Sequence, residues 1–226
     1  MDTNEEDVMY LSHSKVEKIP EISSKVRRVI LNRNKIKEME FLFHENIEDL
    51  DLNDNEIKNI NGLENLPNLK ILDLSFNLIT QISNISLTHL RELYLISNDI
   101  EKIENLENLP NLIKLDLACN SIKKLENLIT LPLLEELYLG NNYISKVENI
   151  EELKNLKVLA LQNNSLEFVD CINIPVNVHS LLLCENFELS VVTNCNHLKF
   201  LKYLEIDKTQ VKKENLNISR SVDIIS

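Results

Sequence analysis

One pattern of apolar and polar positions recurs along the chain: an apolar residue, two spacers, an apolar residue, one spacer, an apolar residue, two spacers, an asparagine, one spacer, and a further apolar residue. It runs in full as Val26, Val29, Leu31, Asn34, Ile36 and again as Ile47, Leu50, Leu52, Asn55, Ile57. It continues as Leu69, Leu72, Leu74, Asn77, Ile79 and as Leu90, Leu93, Leu95, Asn98, Ile100. Three more copies follow at Leu112, Leu115, Leu117, Asn120, Ile122, at Leu134, Leu137, Leu139, Asn142, Ile144 and at Leu156, Leu159, Leu161, Asn164, Leu166. The asparagines from Asn34 to Asn164 stand 21 or 22 residues apart, the period of a leucine-rich repeat.

Weaker copies flank the array. Leu11, Ser14, Val16 and Ile19 keep the phase with serine in the asparagine slot, and Val178, Leu181, Leu183 and Asn186 keep it at the other end. A last copy, Leu201, Leu204, Ile206 and Val211, puts Thr209 near that slot. Terminal units of a stacked array cover its core on one side only and are atypical for that reason. The expected organisation is a single domain over residues 1–226, with a capping segment at 1–20, repeats of about 22 residues over 21–193 and a second cap over 194–226.

Apolar residues on either side of a single spacer form a period-two strand, with its apolar side turned inward. Strands from successive copies pair in parallel, so the pattern predicts an α/β leucine-rich-repeat solenoid: a curved horseshoe with the sheet on its concave face. The recurrent asparagine ends each strand, where its amide serves backbone groups that burial would otherwise leave unpaired. On the return path Ile103, Leu106, Leu109 and Leu125, Leu128, Leu131 recur at threefold spacing, which suits short helical turns on the convex face. Pro67, Pro110 and Pro132 share one slot just before a strand, where a missing N–H costs little. The motif residues are therefore core.

Composition narrows the function. Lys and Arg total 24 against 36 Asp and Glu, a formal charge of −12, which opposes phosphate backbones and anionic membranes and favours a partner with a basic or polar patch. The opening residues have no secretory character, and no apolar run reaches the roughly 18 residues of a membrane span. The expectation is a protein of the nucleus and cytoplasm, monomeric when free, with Cys119, Cys171, Cys184 and Cys195 as reduced thiols. The sequons at Asn84, Asn163 and Asn217 matter only in the secretory pathway.

Candidate chemistry is sparse. The only glycines, Gly62 and Gly140, form no phosphate-cradling loop, and His13, His44, His89, His179 and His197 fall in different repeats without metal-ligand spacing. Residues 51–56 lack the twelve-residue cadence of a calcium loop. The expectation is a non-enzymatic protein that uses no cofactor or metal.

What remains is the exposed face of the sheet. The outward position between the second and third apolar residues reads Ile30, Asp51, Asp73, Tyr94, Asp116, Tyr138, Ala160, Leu182 and Glu205. Two residues earlier the column is Arg28, Asp49, Ile71, Glu92, Lys114, Glu136, Val158, Ser180 and Tyr203. Aromatics concentrate in binding hot spots, so the candidate partner-binding residues are Asp51, Asp73, Tyr94, Asp116, Tyr138, Phe76, Glu92 and Glu136.

The phrases LDLSFNLI (72–79), KIENLENLPNL (102–112) and LEELYLGNNYISKVENI (134–150) resemble the leucine-rich-repeat regulatory subunit of protein phosphatase 1, the Sds-twenty-two family. The resemblance covers about residues 15–170. It implies that the phosphatase catalytic subunit is the partner, gripped by the concave acids and aromatics, and that the solenoid stabilises or sequesters it and controls its assembly with other regulators. With the repeats in register from LDLSFN onward, Asp73, Tyr94, Asp116 and Tyr138 match the family's alternating run. Family members carry roughly three more repeats before the cap, and contacts from those repeats have no counterpart here. Adaptors of the same repeat class, of the axonemal dynein light chain or spliceosomal A-prime type, are the alternatives the pattern leaves open.

Overall fold

The computed structural model describes residues 7–218 and 221–226. Residues 1–6 of the expected N-terminal cap, and 219–220 of the C-terminal one, lie outside them. Each repeat contributes a three-residue strand whose middle residue is apolar, and it is buried in every strand but β1 and β13, the two at the ends of the main sheet, where Met9 and Ile224 are partly buried. In chain order these are β1 (Val8–Tyr10), β2 (Arg28–Ile30), β3 (Asp49–Asp51), β4 (Ile71–Asp73), β5 (Glu92–Tyr94), β6 (Lys114–Asp116) and β7 (Glu136–Tyr138). They continue with β8 (Val158–Ala160), β9 (Phe168–Asp170), β10 (Ser180–Leu182), β11 (Val191–Thr193), β12 (Tyr203–Glu205) and β13 (Asp223–Ile225).

Eleven of these strands form one parallel sheet in the order β1 through β8, then β10, β12 and β13. The register never slips: Leu72 pairs with Leu93, Leu93 with Leu115 and Leu115 with Leu137. Equal register is what turns a sequence column into a physical row, since a one-residue slip would invert every side chain. Behind the sheet one unbroken apolar cluster runs from Val26 to Val222. Each fully buried leucine or isoleucine in it contributes on the order of 1.5–3 kcal/mol.

Two features go beyond the sequence pattern. Strands β9 and β11 lie in the connections that follow Leu166 and Leu189, where they pair into a separate two-stranded parallel sheet. The segment from residue 194 onward adds β12 and β13 to the main sheet, so the last turns continue the stack. The convex helical turns are 3₁₀ in character, three residues each, at Leu63–Asn65, Leu128–Thr130, Cys171–Asn173, Cys195–His197 and Lys213–Asn215. Each is closed by an i→i+3 bond such as Leu131 N–H to the Leu128 carbonyl at 3.0 Å. Threefold spacing eclipses residues i and i+3 in such a turn, so both leucines drop into the core.

The asparagine of each strand exit behaves as expected. Asn120 is 7% exposed; its Nδ2 donates to the carbonyls of Leu95, Leu117 and Ala118 at 2.8, 3.1 and 3.2 Å, and its Oδ1 accepts from Ile100 N–H at 3.0 Å. The set repeats at Asn55, Asn77, Asn98 and Asn142. Thr209 takes the slot in the last copy, donating to the Ile206 carbonyl at 2.7 Å and accepting from Val211 N–H.

Two further ladders run along the return path. Asn84, Asn105, Asn127 and Asn149 sit in left-handed backbone, φ 55 to 60, and each donates to a carbonyl of the preceding turn at 2.7 to 3.0 Å. Gly62 holds the equivalent slot at φ 70, where an added Cβ would lie 2.0 Å from the Met39 carbonyl oxygen. A third row, Asn46, Asn68, Asn111, Asn155 and Asn177, ties the entry of each strand to the turn before it.

Candidate protein-binding face

Register stacking brings six side chains together at the centre of the sheet face: Glu92 and Tyr94 on β5, Lys114 and Asp116 on β6, Glu136 and Tyr138 on β7. Lys114 is flanked in its own row by Glu92 and Glu136 and diagonally by both tyrosines. Its Nζ lies 5.3 Å from the centroid of the Tyr94 ring and 5.2 Å from that of Tyr138, and 3.3 Å from Glu136 Oε2. A cation held between two aromatic faces is stabilised by the quadrupole of each ring. Lys114 thus fixes the tyrosines from between them.

The hydroxyls are anchored as well. Tyr94 donates to Glu92 Oε2 at 2.6 Å and Tyr138 to Glu136 Oε2 at 2.9 Å. Burial, then the adjoining glutamate, pushes the Tyr138 hydroxyl up to about 12 and raises that of Tyr94 further. Both remain neutral donors near neutral pH. Each ring is therefore constrained at its tip and on one face, so little side-chain freedom is left to lose on binding a partner.

The acids of the same column are half-buried and close their own strands. Asp51, Asp73 and Asp116 accept through Oδ1 from the N–H two residues ahead, at 2.9, 2.9 and 3.1 Å. Asp51 also accepts from Asn32 Nδ2 at 2.7 Å, and Asp49 pairs with Arg28 at 3.1 Å. Burial raises the carboxyls of Asp49, Asp51 and Asp116 above the ordinary carboxylate range, against the pull of Arg28 on Asp49 and of the N–H groups on the other two. Repulsion from Asp73 adds to all three. These acids are partly desolvated, because the next strand covers one side of each.

The structure thus gathers Tyr94, Asp116, Tyr138, Glu92 and Glu136 into one cluster, with Asp73 and Asp51 continuing it along the column. Phe76 sits elsewhere, in the turn past β4, in left-handed backbone at φ 54 and 53% exposed. Its N–H donates to the Ile96 carbonyl at 2.7 Å, and its ring stands at the rim of the face. Lys114 is the member that sequence reasoning did not single out. Its signal was present, as the only basic residue at the centre of its column, but its contact with both rings depends on side-chain direction. Among the described residues no three His, Cys, Asp or Glu side chains come together as a metal site, and no helix is long and apolar enough to cross a membrane.

A parallel sheet, backed by a continuous leucine core and presenting aromatic and charged groups on its open face, defines a class by its fold: the leucine-rich-repeat solenoid. Residues 45–87 and 88–130 each match the family model described as Leucine Rich repeats (2 copies). No curated protein matches the chain. Among solved structures it is similar to the internalin InlF of Listeria monocytogenes, at 22% identity and TM-score 0.64 over 90% of this chain and 54% of that one. It is similar also to the TLR13–ssRNA13 complex, at 26% identity and TM-score 0.73 over 81% of this chain and 29% of that one. A leucine-rich-repeat protein of Leptospira interrogans gives 23% identity and TM-score 0.61 over 89% and 66%. The chain spans 54%, 29% and 66% of these three structures, and what it shares with them is the fold.

Proposed function

We propose that this protein is a non-catalytic regulatory subunit of the nucleus and cytoplasm that binds the protein phosphatase 1 catalytic subunit through its sheet face. The observation that carries the reading is the central cluster, in which Tyr94 and Tyr138 are held in place by Lys114, Glu92 and Glu136 among partly desolvated carboxylates. Preorganised aromatics surrounded by charge are the composition of a hot spot, and an acidic face under-solvated when free gains most from a basic partner. The phrases 72–79, 102–112 and 134–150 supply the phosphatase. TLR13 was solved with single-stranded RNA; in this chain the formal charge of −12 and the carboxylate column disfavour a phosphate backbone.

Titration calorimetry of the purified chain against the phosphatase catalytic subunit, beside the Tyr94→Ala/Tyr138→Ala double variant, tests it. Each tyrosine removed should weaken binding by at least about 1–2 kcal/mol, with thermal stability nearly unchanged. Absence of wild-type binding at tens of micromolar, weaker than roughly −6 kcal/mol, would assign the face to another partner. Equal losses of binding and of fold stability would make the tyrosines structural.

A further inference from the structure

Strands β9 and β11 pair in register, Asp170 opposite Thr193, and each leads into a 3₁₀ turn that begins with a cysteine. Cys171 and Cys195 are 1% and 2% exposed, both are free thiols, and Cys171 Sγ lies 3.7 Å from Cys195 Sγ. The leading residue of the earlier 3₁₀ turns is a leucine, Leu63 and Leu128, buried in the same way. Successive turns have here given up two apolar side chains and put two thiols in contact.

The local frame holds them there. Asn194 Nδ2 donates to Asp170 Oδ1 at 2.8 Å across the two turns, and the same oxygen accepts from Ile172 N–H at 3.1 Å. Parallel strands lie about 4.7–4.9 Å apart, inside the roughly 4.4–6.8 Å that disulfide-bonded Cα atoms span. Cys171 and Cys195 open the turns that follow these paired strands, and with their sulfurs already 3.7 Å apart bonding needs the two sulfurs to close on each other to about 2.05 Å.

We infer that Cys171 and Cys195 form a redox modification site, closing to an intramolecular disulfide when the protein meets a peroxide. With Cys195 as the attacking sulfur and Cys171 as its partner 3.7 Å away, the reaction runs through the thiolate. The Cys195 thiolate forms an S–O bond with one oxygen of hydrogen peroxide, the O–O bond breaks, and hydroxide leaves to take up a proton as water. Cys171 sulfur then forms the S–S bond, the S–O bond breaks, and the departing hydroxide leaves as water with the Cys171 proton. Two thiols lose two electrons and two protons, and one peroxide becomes two waters. The bond staples the last turns of the stack together at positions remote from the sheet face.

The test uses the full chain with the outlying thiols removed, Cys119→Ser/Cys184→Ser, treated at low protein concentration with hydrogen peroxide and digested without reduction. The expected product is a peptide pair joined through Cys171 and Cys195, lighter by two hydrogens, formed in the monomer and reversed by dithiothreitol. Thermal melting of the oxidised chain should move upward. Recovery of both cysteines as free thiols or sulfinic acids, or of a bond between two chains, would overturn the inference. In the parent chain a denatured thiol titration should fall from four reactive cysteines to two; loss through Cys119 or Cys184 would count against it equally.

Discussion

Replacing Asn120 by alanine removes a side chain that serves four backbone groups, and the cost follows from what each has left. The Leu95 carbonyl keeps a bond from Asn98 Nδ2 at 3.2 Å, and the Leu117 carbonyl keeps one from Asn142 Nδ2 at 3.0 Å. The Ala118 carbonyl keeps the Ser97 N–H at 2.9 Å. Ile100 N–H has only Asn120 Oδ1 and becomes a buried donor without an acceptor. That orphaned group costs about 1–3 kcal/mol and the weakened carbonyls about another 1 kcal/mol together, so Asn120→Ala should destabilise by roughly 2–4 kcal/mol. Asn120→Asp separates the two contributions. It retains an acceptor for Ile100 N–H but turns a second oxygen toward three carbonyls, so its penalty should exceed that of alanine at neutral pH and shrink as the aspartate is protonated. Urea unfolding followed by circular dichroism reads both variants, and amide exchange at Ile100 reports the orphan directly. A midpoint within about 0.5 kcal/mol of wild type, the usual range of an ordinary surface change, would refute the ladder as a source of stability.

The remaining expectations concern pH, glycine and the rim aromatic. Asp49, Asp51 and Asp116 have folded-state carboxyls raised by burial, so the stability they contribute is full at low pH and is lost as pH rises through those values. Glu48, held low by Lys70 and Arg27 against the opposing effect of its own burial, acts in the opposite sense, and its contribution is lost only as pH falls below the ordinary carboxylate range of about 4. Melting temperature should therefore climb as pH is lowered through those raised values toward the ordinary carboxylate range of about 4, and Asp51→Asn with Asp116→Asn should flatten the climb; a fall over that range would contradict the burial argument. Gly62→Ala drives a Cβ to 2.0 Å from the Met39 carbonyl oxygen at φ 70 and should cost about 2 kcal/mol or more in urea unfolding. Gly140→Ala meets only the Gln162 side-chain amide, which can rotate away, and should cost under about 1 kcal/mol. Phe76→Asn relieves an aromatic residue in left-handed backbone and should gain up to about 1 kcal/mol of stability while weakening partner binding, since the ring is half-exposed and packs little; unchanged affinity would remove Phe76 from the contact surface.

The strand columns were legible because a strict period fixes register, and register fixes which side chains share a face. Asn34 through Asn164 announced the first ladder for the same reason. The second and third ladders were written at an equally regular interval, Asn84, Asn105, Asn127 and Asn149 among them, but in segments whose threefold leucines suggested helical turns. The left-handed φ values of these asparagines show only in the backbone. Lys114 was visible as a column entry and its bridging of two rings was not, because that depends on rotamers. Strands β9, β11 and β13 escaped because their apolar residues stand outside the repeating phase, and neighbours supply their pairing.

The three asparagine rows set rules for how such a chain changes length. Each asparagine reaches a carbonyl one turn back, so a unit can be gained or lost whole with every reach preserved, whereas a partial insertion at a ladder position would break a row. Between Asn34 and Val158 single-residue variation is confined to the stretch between the second row and the next strand. The shortened turn there, from Met39 to Ile47 against Ile60 to Leu69, buries Phe41 and leaves Leu42 and Phe43 82% and 67% exposed. Lineages of this fold should differ by multiples of one turn, with small insertions and deletions collecting on the back of the arc, where no partner-facing column shifts out of line.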